Sequence, residues 1–378
     1  MSDTLTSDCL IIGGGVIGLS LAYELACAGL SVHVVDQGAP GREASWAGAG
    51  ILPPQSELGA PAALKELGIL SSRLHAEWSV RLEDETGVDN GYRRCGAWNL
   101  ATNQGEAAEL ERAAAAWRDD DLDVQLVDPD ELAQLEPVLA DQRRRLPIQA
   151  AALLADESQV RNPRHLRALL SACQRRGVTI TANSAITDVE HAAGRVAAVQ
   201  SGTTRISAGH YCVTAGAWSG GVLERLGASL PIRPMRGQIV LLSTIATLFS
   251  RVLNVGPRYL VPRADGRVLV GSTVEDAGFN KQTTADGVGG LLRFALELVP
   301  ALADARLERT WAGLRPQTDD GLPYLGRLPN LANASVATGH FRSGLHLSTG
   351  TAVVMGQLIR GETPRVDLAP FSPTRQAN

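Results

Sequence analysis

The residues best suited to chemistry near the start of the chain are the glycines and the acid of a nucleotide-binding pattern. The turn Gly13-Gly-Gly-Val-Ile-Gly18 follows the apolar run 9–12, and Asp36 follows a second apolar run, 31–35. Glycines here let the backbone approach a pyrophosphate, whose charge meets free N–H groups at the start of the next helix. Asp36 can accept hydrogen bonds from both ribose hydroxyls and would repel a 2′-phosphate. The spacing predicts a dinucleotide site; the alternative is a glycine-rich turn in an ordinary parallel sheet.

Lysine and cysteine usage excludes several other chemistries. Lys65 and Lys281 are the only lysines, and neither stands in a motif for a Schiff base or a phosphate-binding P-loop. The five cysteines are scattered without C-x-x-C spacing, which argues against a disulfide framework and a structural zinc site and favours a reducing compartment. The sequence therefore predicts no metal site.

Length and composition indicate a soluble globular protein of two domains. The chain has 378 residues, more than one compact core usually holds, with 44% hydrophobic and 20% charged residues. A net charge of −5 makes nucleic acid a poor partner. Acidic residues near the N-terminus argue against a signal peptide, and the uncharged stretch 9–23 contains four glycines before Glu24, which argues against a membrane span. We expect a cytoplasmic protein that binds neither membranes nor nucleic acid.

Alternating helices and strands must position the nucleotide-binding residues. Helices are predicted where apolar residues recur at helical spacing, over residues 19–28, 57–86, 106–117, 128–135, 162–176, 285–298 and 345–359. Strands of an antiparallel sheet are predicted over residues 232–242, 259–262 and 268–271. The basic run 143–145 precedes a proline and predicts a solvated loop.

Five segments spread over nearly the whole chain carry a family pattern. They are the turn 13–18 with Asp36, Arg42-Glu-Ala-Ser-Trp-Ala-Gly-Ala-Gly-Ile-Leu52, Val213-Thr-Ala-Gly-Ala-Trp-Ser219, Trp311-Ala-Gly-Leu-Arg-Pro316 and Gly339-His-Phe-Arg-Ser-Gly344. In this order they resemble the D-amino-acid oxidase superfamily of flavoenzymes, and within it the glycine oxidases of thiamine biosynthesis. The last two motifs are the most specific to glycine-oxidase-like members.

The resemblance implies an α/β fold class with a discontinuous FAD-binding domain of Rossmann type and an α+β substrate domain built on an antiparallel sheet. The FAD-binding domain would comprise residues 7–85, 150–225 and 311–370, and the substrate domain residues 86–149 and 226–310. Some superfamily members tether the flavin through a cysteine near residues 314–320. No cysteine lies there in this chain, so FAD is expected to bind without a covalent bond.

The same resemblance implies contacts along the whole cofactor. They are Gly13, Gly15, Val16, Ile17 and Gly18 at the pyrophosphate, Asp36 and Gln37 at the ribose, Ala44, Ser45, Ala49, Gly50 and Ile51 along the flavin, Ile186 on the adenine side, and His340, Phe341, Arg342, Ser343, Gly344, Leu345 and His346 around the isoalloxazine edge. Ile51 would also line the substrate pocket. The family carries methionine at this position, and the stiffer isoleucine predicts a narrow pocket.

Arg315 and Arg342 match the family's substrate-binding arginines, and Tyr259 matches its carboxylate-contacting tyrosine. An amino-acid carboxylate suits the planar, permanently charged fork of arginine. Structural alternatives stay open: Arg315 could pair with an acid such as Asp319, Arg342 in its turn could simply hold backbone carbonyls, and Tyr259 could simply pack in the sheet. His340 is expected to pack or hydrogen-bond near the site and not to act as a base.

The implied reaction is FAD-dependent oxidative deamination of glycine or another small amino acid or amine. The buried amine would lose its proton because burial disfavours the ammonium, and a hydride would pass from the alpha carbon to flavin N5. N–H groups at the start of the helix after Gly344 would stabilise the reduced flavin. The imine would be hydrolysed to glyoxylate and ammonia or passed to thiazole synthesis for thiamine, and O2 would become H2O2.

Two alternative functions stay open. One is a dehydrogenase for D-amino acids, sarcosine or proline that passes electrons to a quinone or carrier. The other is a non-catalytic FAD-bound subunit for assembly or electron relay, against which the pair Arg315 and Arg342 argues. The expected partners are a small amino-acid substrate and O2, and the resemblance favours a homo-oligomer, a tetramer in many relatives.

Overall fold

The chain folds into two large β-sheets flanked by helices, and the computed structural model describes residues 5–54, 59–141 and 144–375. The strands are β1 (Leu5–Ile12), β2 (Val32–Val35), β3 (Ile51–Leu52), β4 (Arg93–Arg94), β5 (Ala97–Ala101), β6 (Val124–Val127), β7 (Ala150–Leu154), β8 (Ser158–Gln159), β9 (Thr179–Thr181), β10 (Ile186–Ala192), β11 (Arg195–Ser201), β12 (Thr204–Val213), β13 (Arg233–Ser243), β14 (Val252–Val255), β15 (Arg258–Pro262), β16 (Arg267–Gly271), β17 (Arg306–Gln317), β18 (Tyr324–Arg327) and β19 (Ala334–Thr338). The α-helices are α1 (Val16–Cys27), α2 (Ala44–Ala47), α3 (Ala62–Thr86), α4 (Gln104–Asp119), α5 (Pro129–Leu135), α6 (Asn162–Arg175), α7 (Ser219–Arg225), α8 (Ala285–Leu298) and α9 (Ser348–Arg360). Within these described ranges, no helix combines the length and apolar character needed to cross a bilayer.

The first large sheet is built around the glycine turn. β1 pairs in parallel with β2 on one side and β12 on the other, and α1 makes the crossover from β1 to β2. β9 pairs in parallel with β2, and β19 pairs in parallel with β12. The predicted strand-turn-helix-strand unit is confirmed. Because these strands are parallel, the chain leaves β1, β2, β12 and β19 at one edge of the sheet, where such folds bind ligands.

A layer of helices covers one face of this sheet. α1 contacts α6 and α9, and α3 packs against the same two helices. Their facing side chains include Leu21, Leu67, Leu169 and Val354, each 0% exposed. Burial of such side chains stabilises the layer by about 1.5–3 kcal/mol each, so packing and not local helix propensity holds these helices in place.

The second large sheet has the strand order β17-β13-β16-β15-β14-β5-β7-β6 and is antiparallel except for the pair β14 and β5. The strands predicted over 232–242, 259–262 and 268–271 are confirmed as β13, β15 and β16. Alternate residues face opposite sides. Val240, Leu260 and Val270 pack with Phe294 of α8, whereas Tyr259 belongs to the opposite face. This opposite face is available to a ligand.

Two segments of the predicted FAD-binding domain belong to the second sheet, while the boundaries of the two domains stay a prediction. Residues 150–154 and 311–317, placed by the sequence with the FAD-binding segments, belong to β7 and β17 of the second sheet. The cause is pairing: β7 lies between β5 and β6, and β17 pairs with β13 along its whole length. Arg315 is therefore carried by the second sheet.

Some element ends differ from the predicted ones. α9 begins at Ser348, not at residue 345, because Phe341 takes a positive φ of 47° and the chain makes a series of turns before entering the helix. α3 begins at Ala62, and residue 57 lies outside the described residues. Residue 143 of the basic run also lies outside them, and Arg144 is partly buried because it donates hydrogen bonds to backbone carbonyls on both sides of its loop.

Candidate active site

A cavity of about 750 Å³ runs between the two large sheets. Its walls come from the turn after β1, from α2 and β3, from the free face of the second sheet and from residues 337–346. Every residue that the sequence predicted for FAD or substrate lines this cavity except Gly18. The volume is in the range typical of cofactor and substrate sites.

The glycine turn is shaped so that a ligand can approach its backbone. Gly13 has a φ of +115°, and a Cβ there would lie 2.6 Å from the carbonyl oxygen of Thr214. A Cβ on Gly15 would meet only Ser45 Oγ, at 3.3 Å, on the side that lines the cavity. Gly18 lies behind the turn and does not line the cavity, and a Cβ there would collide with the Gly13 carbonyl, so a glycine at this position permits close packing.

Asp36 stands beside this turn and holds it. Its two carboxylate oxygens accept hydrogen bonds from Gly14 N at 2.6 Å and Gly38 N at 2.8 Å. A carboxylate has about four acceptor positions, so lone pairs remain for the ribose hydroxyls that the sequence predicted. Asp36 therefore both fixes the backbone and offers acceptors at the cavity wall.

The N-terminus of α1 opens into the cavity. Gly15 is the N-cap and makes no side-chain capping bond, and the N–H of Val16 donates to Ser45 Oγ at 2.9 Å. The helix dipole and free N–H groups at such a terminus favour a phosphate. With the open face of Gly15 and the acceptors of Asp36, these residues fit a dinucleotide of the FAD type.

Two side chains to which the sequence analysis gave no role connect the segment 44–51, which is predicted to line the flavin and is called the flavin segment below, to the second sheet. Arg263, 5% exposed, donates from its guanidinium to the Ala49 carbonyl at 2.6 Å and to the Val160 carbonyl at 3.0 Å. Trp311 Nε1 donates to the Ala47 carbonyl at 3.0 Å. Trp46 packs edge-on against Trp311 outside the cavity wall, while Ile51 lines the cavity.

The loop 340–346 is supported from behind by buried histidines. His75, on α3, hydrogen-bonds through Nε2 to the carbonyls of Leu345 at 3.0 Å and His346 at 2.9 Å, so this nitrogen carries the proton. Burial lowers the pKa of His75 to about 4 and that of His340 to about 3. His340 Nε2 pairs with Thr351 Oγ1 at 3.1 Å. These neutral histidines are structural groups, and no sequence motif marked His75.

Arg315 is held by neutral groups on the second sheet. Its guanidinium donates to Ser272 Oγ at 2.7 Å and to the Thr273 carbonyl at 3.1 Å. In the described parts of the chain no carboxylate pairs with it, and Asp319, the alternative partner, binds Arg233 at 2.8 Å. Burial lowers the pKa of Arg315, but an arginine stays charged at any physiological pH. The site therefore contains a cation in need of an anion.

Tyr259 and Arg342 lie close to Arg315. The phenol of Tyr259 partly offsets the effect of burial on the pKa of Arg315, and the charge of Arg342 lowers that pKa further. Arg342 is exposed and donates to the Pro257 carbonyl at 3.1 Å, which is the kind of backbone contact that the structural alternative for this residue predicts. Arg342 also lines the cavity. Two positive charges thus reach one cavity from β17 and from the loop 340–346.

Comparison with known proteins agrees with the geometry. Residues 8–358 match the family described as FAD dependent oxidoreductase. The chain is 35% identical over 370 residues to a glycine oxidase of Pseudomonas putida, covering 98% of this chain and 99% of that protein. The crystal structure of glycine oxidase from Geobacillus kaustophilus has a TM-score of 0.94 at 32% identity, covering 99% of this chain and all of that one. A bifunctional protein ThiO/ThiG of Trichormus variabilis is 33% identical over 373 residues, which is 94% of this chain and 53% of that longer protein.

Proposed function

The chain belongs to the FAD-dependent oxidoreductase family, and from this premise we propose that it oxidises glycine, or another small amino acid, with O2 as the electron acceptor. Bound FAD would supply the acceptor for the hydride from the alpha carbon, and O2 would take up the electron pair with two protons to give H2O2. The organic product is an imine, which water hydrolyses to glyoxylate and ammonia. The similarity to glycine oxidases over the full chain supports glycine as the substrate.

The observation that carries this proposal is the guanidinium of Arg315 at the cavity wall, which forms no ion pair with a carboxylate of the described residues. Glycine offers only its carboxylate for binding at the end opposite the amine. Arg315 can hold that carboxylate bidentately, Tyr259 can donate a hydrogen bond to it, and Arg342 adds a second positive charge. We call Arg315 and Tyr259 the anchor pair. Holding the carboxylate orients the alpha C–H bond, which is worth a large part of the barrier in reactions of this kind.

The substrate amine must also lose a proton before the hydride leaves, and this requires no strong base. An apolar surround, with Ile51 at the wall, disfavours the ammonium and releases its proton. His340 is a poor base, because burial holds its pKa near 3 and Thr351 occupies its Nε2. The proton is therefore lost from the substrate to solvent as the amine enters the pocket.

The test is anaerobic reduction of the bound flavin by a panel of amines. Glycine, sarcosine, D-alanine, D-proline, D-phenylalanine and L-amino acids are each mixed with the holoenzyme, and bleaching at the flavin absorbance maximum gives the rate. Glycine or sarcosine should reduce it faster than D-phenylalanine, and aerobic turnover should yield one H2O2 per imine. Bleaching without H2O2 formation would favour a dehydrogenase, and no bleaching by any amine would favour a non-catalytic subunit.

The imine also has a use beyond hydrolysis. The resemblance to glycine oxidases of thiamine biosynthesis, and the match to one half of a bifunctional ThiO/ThiG protein, support delivery of this imine to thiazole synthesis. A cytoplasmic location and assembly into a homo-oligomer stay predictions from the sequence.

A further inference from the structure

Polar side chains continue past the anchor pair along the same face of the second sheet. Tyr259 of β15 pairs in register with Asn254 of β14, and Asn254 pairs in register with Asn99 of β5. Residues directly opposite each other on neighbouring strands project from the same face. Asn254 and Asn99 accordingly line the same cavity as Tyr259, and their amides face each other at 3.4 Å.

Glu157 closes this end of the cavity with a buried carboxyl group. The residue is 3% exposed, and its backbone carbonyl accepts hydrogen bonds from Cys95 N at 3.0 Å and Gly96 N at 2.9 Å, which fixes its position before β8. Its Oε1 atom is buried and finds no hydrogen-bond partner among the described residues, and the same holds for Nδ2 of Asn99. Burial raises the pKa of Glu157 to about 7, partly offset by the amide of Asn254.

The proposed reaction of glycine leaves these groups unused. Neighbouring strands lie about 4.8 Å apart, so the backbone of Asn254 is roughly 5 Å and that of Asn99 roughly 10 Å from Tyr259. A glycine held by its carboxylate at the anchor pair does not span that distance. Trp117, Leu122 and Leu154 form apolar walls around the same end of the cavity. An unpartnered acceptor and an unpartnered donor in an apolar recess are costly unless something binds them.

We propose that Glu157, Asn254 and Asn99 form a polar subsite that binds the hydroxyl or carboxamide end of a substituted glycine, a proposal that rests on the proposed function. Such an end carries both a donor and an acceptor, which match the free Oε1 of Glu157 and the free Nδ2 of Asn99. An apolar end would leave both unpartnered, and a second carboxylate would be repelled when Glu157 is ionised. The subsite makes the enzyme selective among extended amino acids as well as active on glycine.

Isosteric substrate pairs test the polar subsite. D-serine is compared with D-2-aminobutyrate, and N-(2-hydroxyethyl)glycine with N-propylglycine, so that a group on the alpha carbon and a group on nitrogen are probed separately. In the wild-type holoenzyme, kcat/KM should be about tenfold or more higher for the hydroxyl member of at least one pair. The reason is that the apolar member leaves Oε1 of Glu157 and Nδ2 of Asn99 without hydrogen-bond partners. In Asn254→Leu and in Glu157→Met, which both remove the hydrogen-bonding atoms of the side chain, that ratio should fall to within about threefold of one. Gln125→Leu, the same kind of change on the exposed edge strand β6, should keep the wild-type ratio.

The outcomes distinguish failure of the polar subsite from failure of the proposed amine oxidation. If glycine reduces the flavin but neither pair shows a preference, the recess holds an ordered water only and the subsite is refuted. A preference that survives in both variants would also refute it, because the selectivity would come from elsewhere. If no amine reduces the flavin, the proposed function itself fails. Glu157→Met keeps the length of the side chain, so the test stands even where Asn254→Leu does not fold.

Discussion

Substitution of Gly237 by alanine should disable the anchor pair without unfolding the protein. Gly237 lies on β13 beneath the guanidinium of Arg315, which is carried by the neighbouring strand β17. A Cβ added at Gly237 would overlap the three terminal atoms of that guanidinium. The backbone of Gly237 is not in the left-handed region, so alanine introduces no strain of its own.

The size of the effect follows from this overlap. Ordinary carbon contacts begin at 3.4 Å, so the tip of Arg315 must move by roughly 1 Å to accommodate the methyl group. Because the tip of an arginine is flexible, the fold absorbs the move at little cost. A substrate held roughly 1 Å from its productive position loses about 100-fold in rate, equivalent to about 2.7 kcal/mol.

The assay measures kcat/KM for glycine, the inhibition constant of glycolate, the FAD content and the melting temperature on each variant. Gly289→Ala is the control, because this glycine lies on α8 and an added Cβ meets nothing within 4 Å. We expect Gly237→Ala to lose about 100-fold in kcat/KM, to bind glycolate more weakly, and to keep its FAD and melting temperature. Activity within about threefold of wild type, or a loss that merely follows a lower melting temperature, would show that this glycine does not set the position of Arg315.

Three further predictions concern the anchor, the cofactor and the buried acid. In steady-state kinetics with glycine, Arg315→Ala should keep its FAD but lose on the order of 3–5 kcal/mol of transition-state stabilisation, and Arg315→Lys should recover only part of that loss. A decrease of less than about threefold in kcat/KM for Arg315→Ala would make Arg315 a structural residue. Gly15→Leu should abolish FAD retention on gel filtration, because the leucine side chain fills the space that the pyrophosphate needs. Acid precipitation of the wild-type protein should release all of its flavin, and a yellow protein pellet would contradict non-covalent binding. Glu157→Gln should stabilise the protein by an amount that grows between about pH 4.5 and pH 7 and is constant above, reaching about 3 kcal/mol in denaturant titrations. The reason is that folding raises the pKa of this carboxyl to about 7, so the unfolded chain ionises at a lower pH than the folded one and the wild type loses stability over this range. A difference in the free energy of unfolding that does not change with pH would contradict this reasoning.

The cofactor half of the site was predictable because its signals are local. The glycines of the turn, the helix α1 and Asp36 lie within about one crossover unit of sequence, and each has a direct backbone requirement. Gly13, Gly15 and Asp36 line one cavity, whereas Gly18 packs behind the turn, and their contacts with the cofactor stay a prediction. Local spacing therefore sufficed to predict which residues come together around the glycine turn.

The substrate half depends on pairings that the sequence does not display. Arg315 was predicted from a motif, but Ser272, Thr273 and Gly237 reach it only because β13 lies between β16 and β17. Asn254 stands five residues before Tyr259 with nothing to mark it, and becomes its neighbour through strand register. The late start of α9 was missed for a local reason, because Phe341 adopts a left-handed conformation uncommon for an aromatic residue.

We expect Arg263 to couple cofactor binding to substrate binding. Arg263 directly follows β15, the strand that carries Tyr259 four residues earlier, and its buried guanidinium donates to the Ala49 carbonyl of the flavin segment. A cofactor that orders the flavin segment lowers the free-energy cost of ordering the strand beside it, and so favours binding of a carboxylate at the anchor pair. By reciprocity, a carboxylate bound at the anchor pair favours cofactor binding by the same free energy. Glycolate should therefore slow the dissociation of FAD, and the two sheets should melt in one cooperative transition when the flavin is bound.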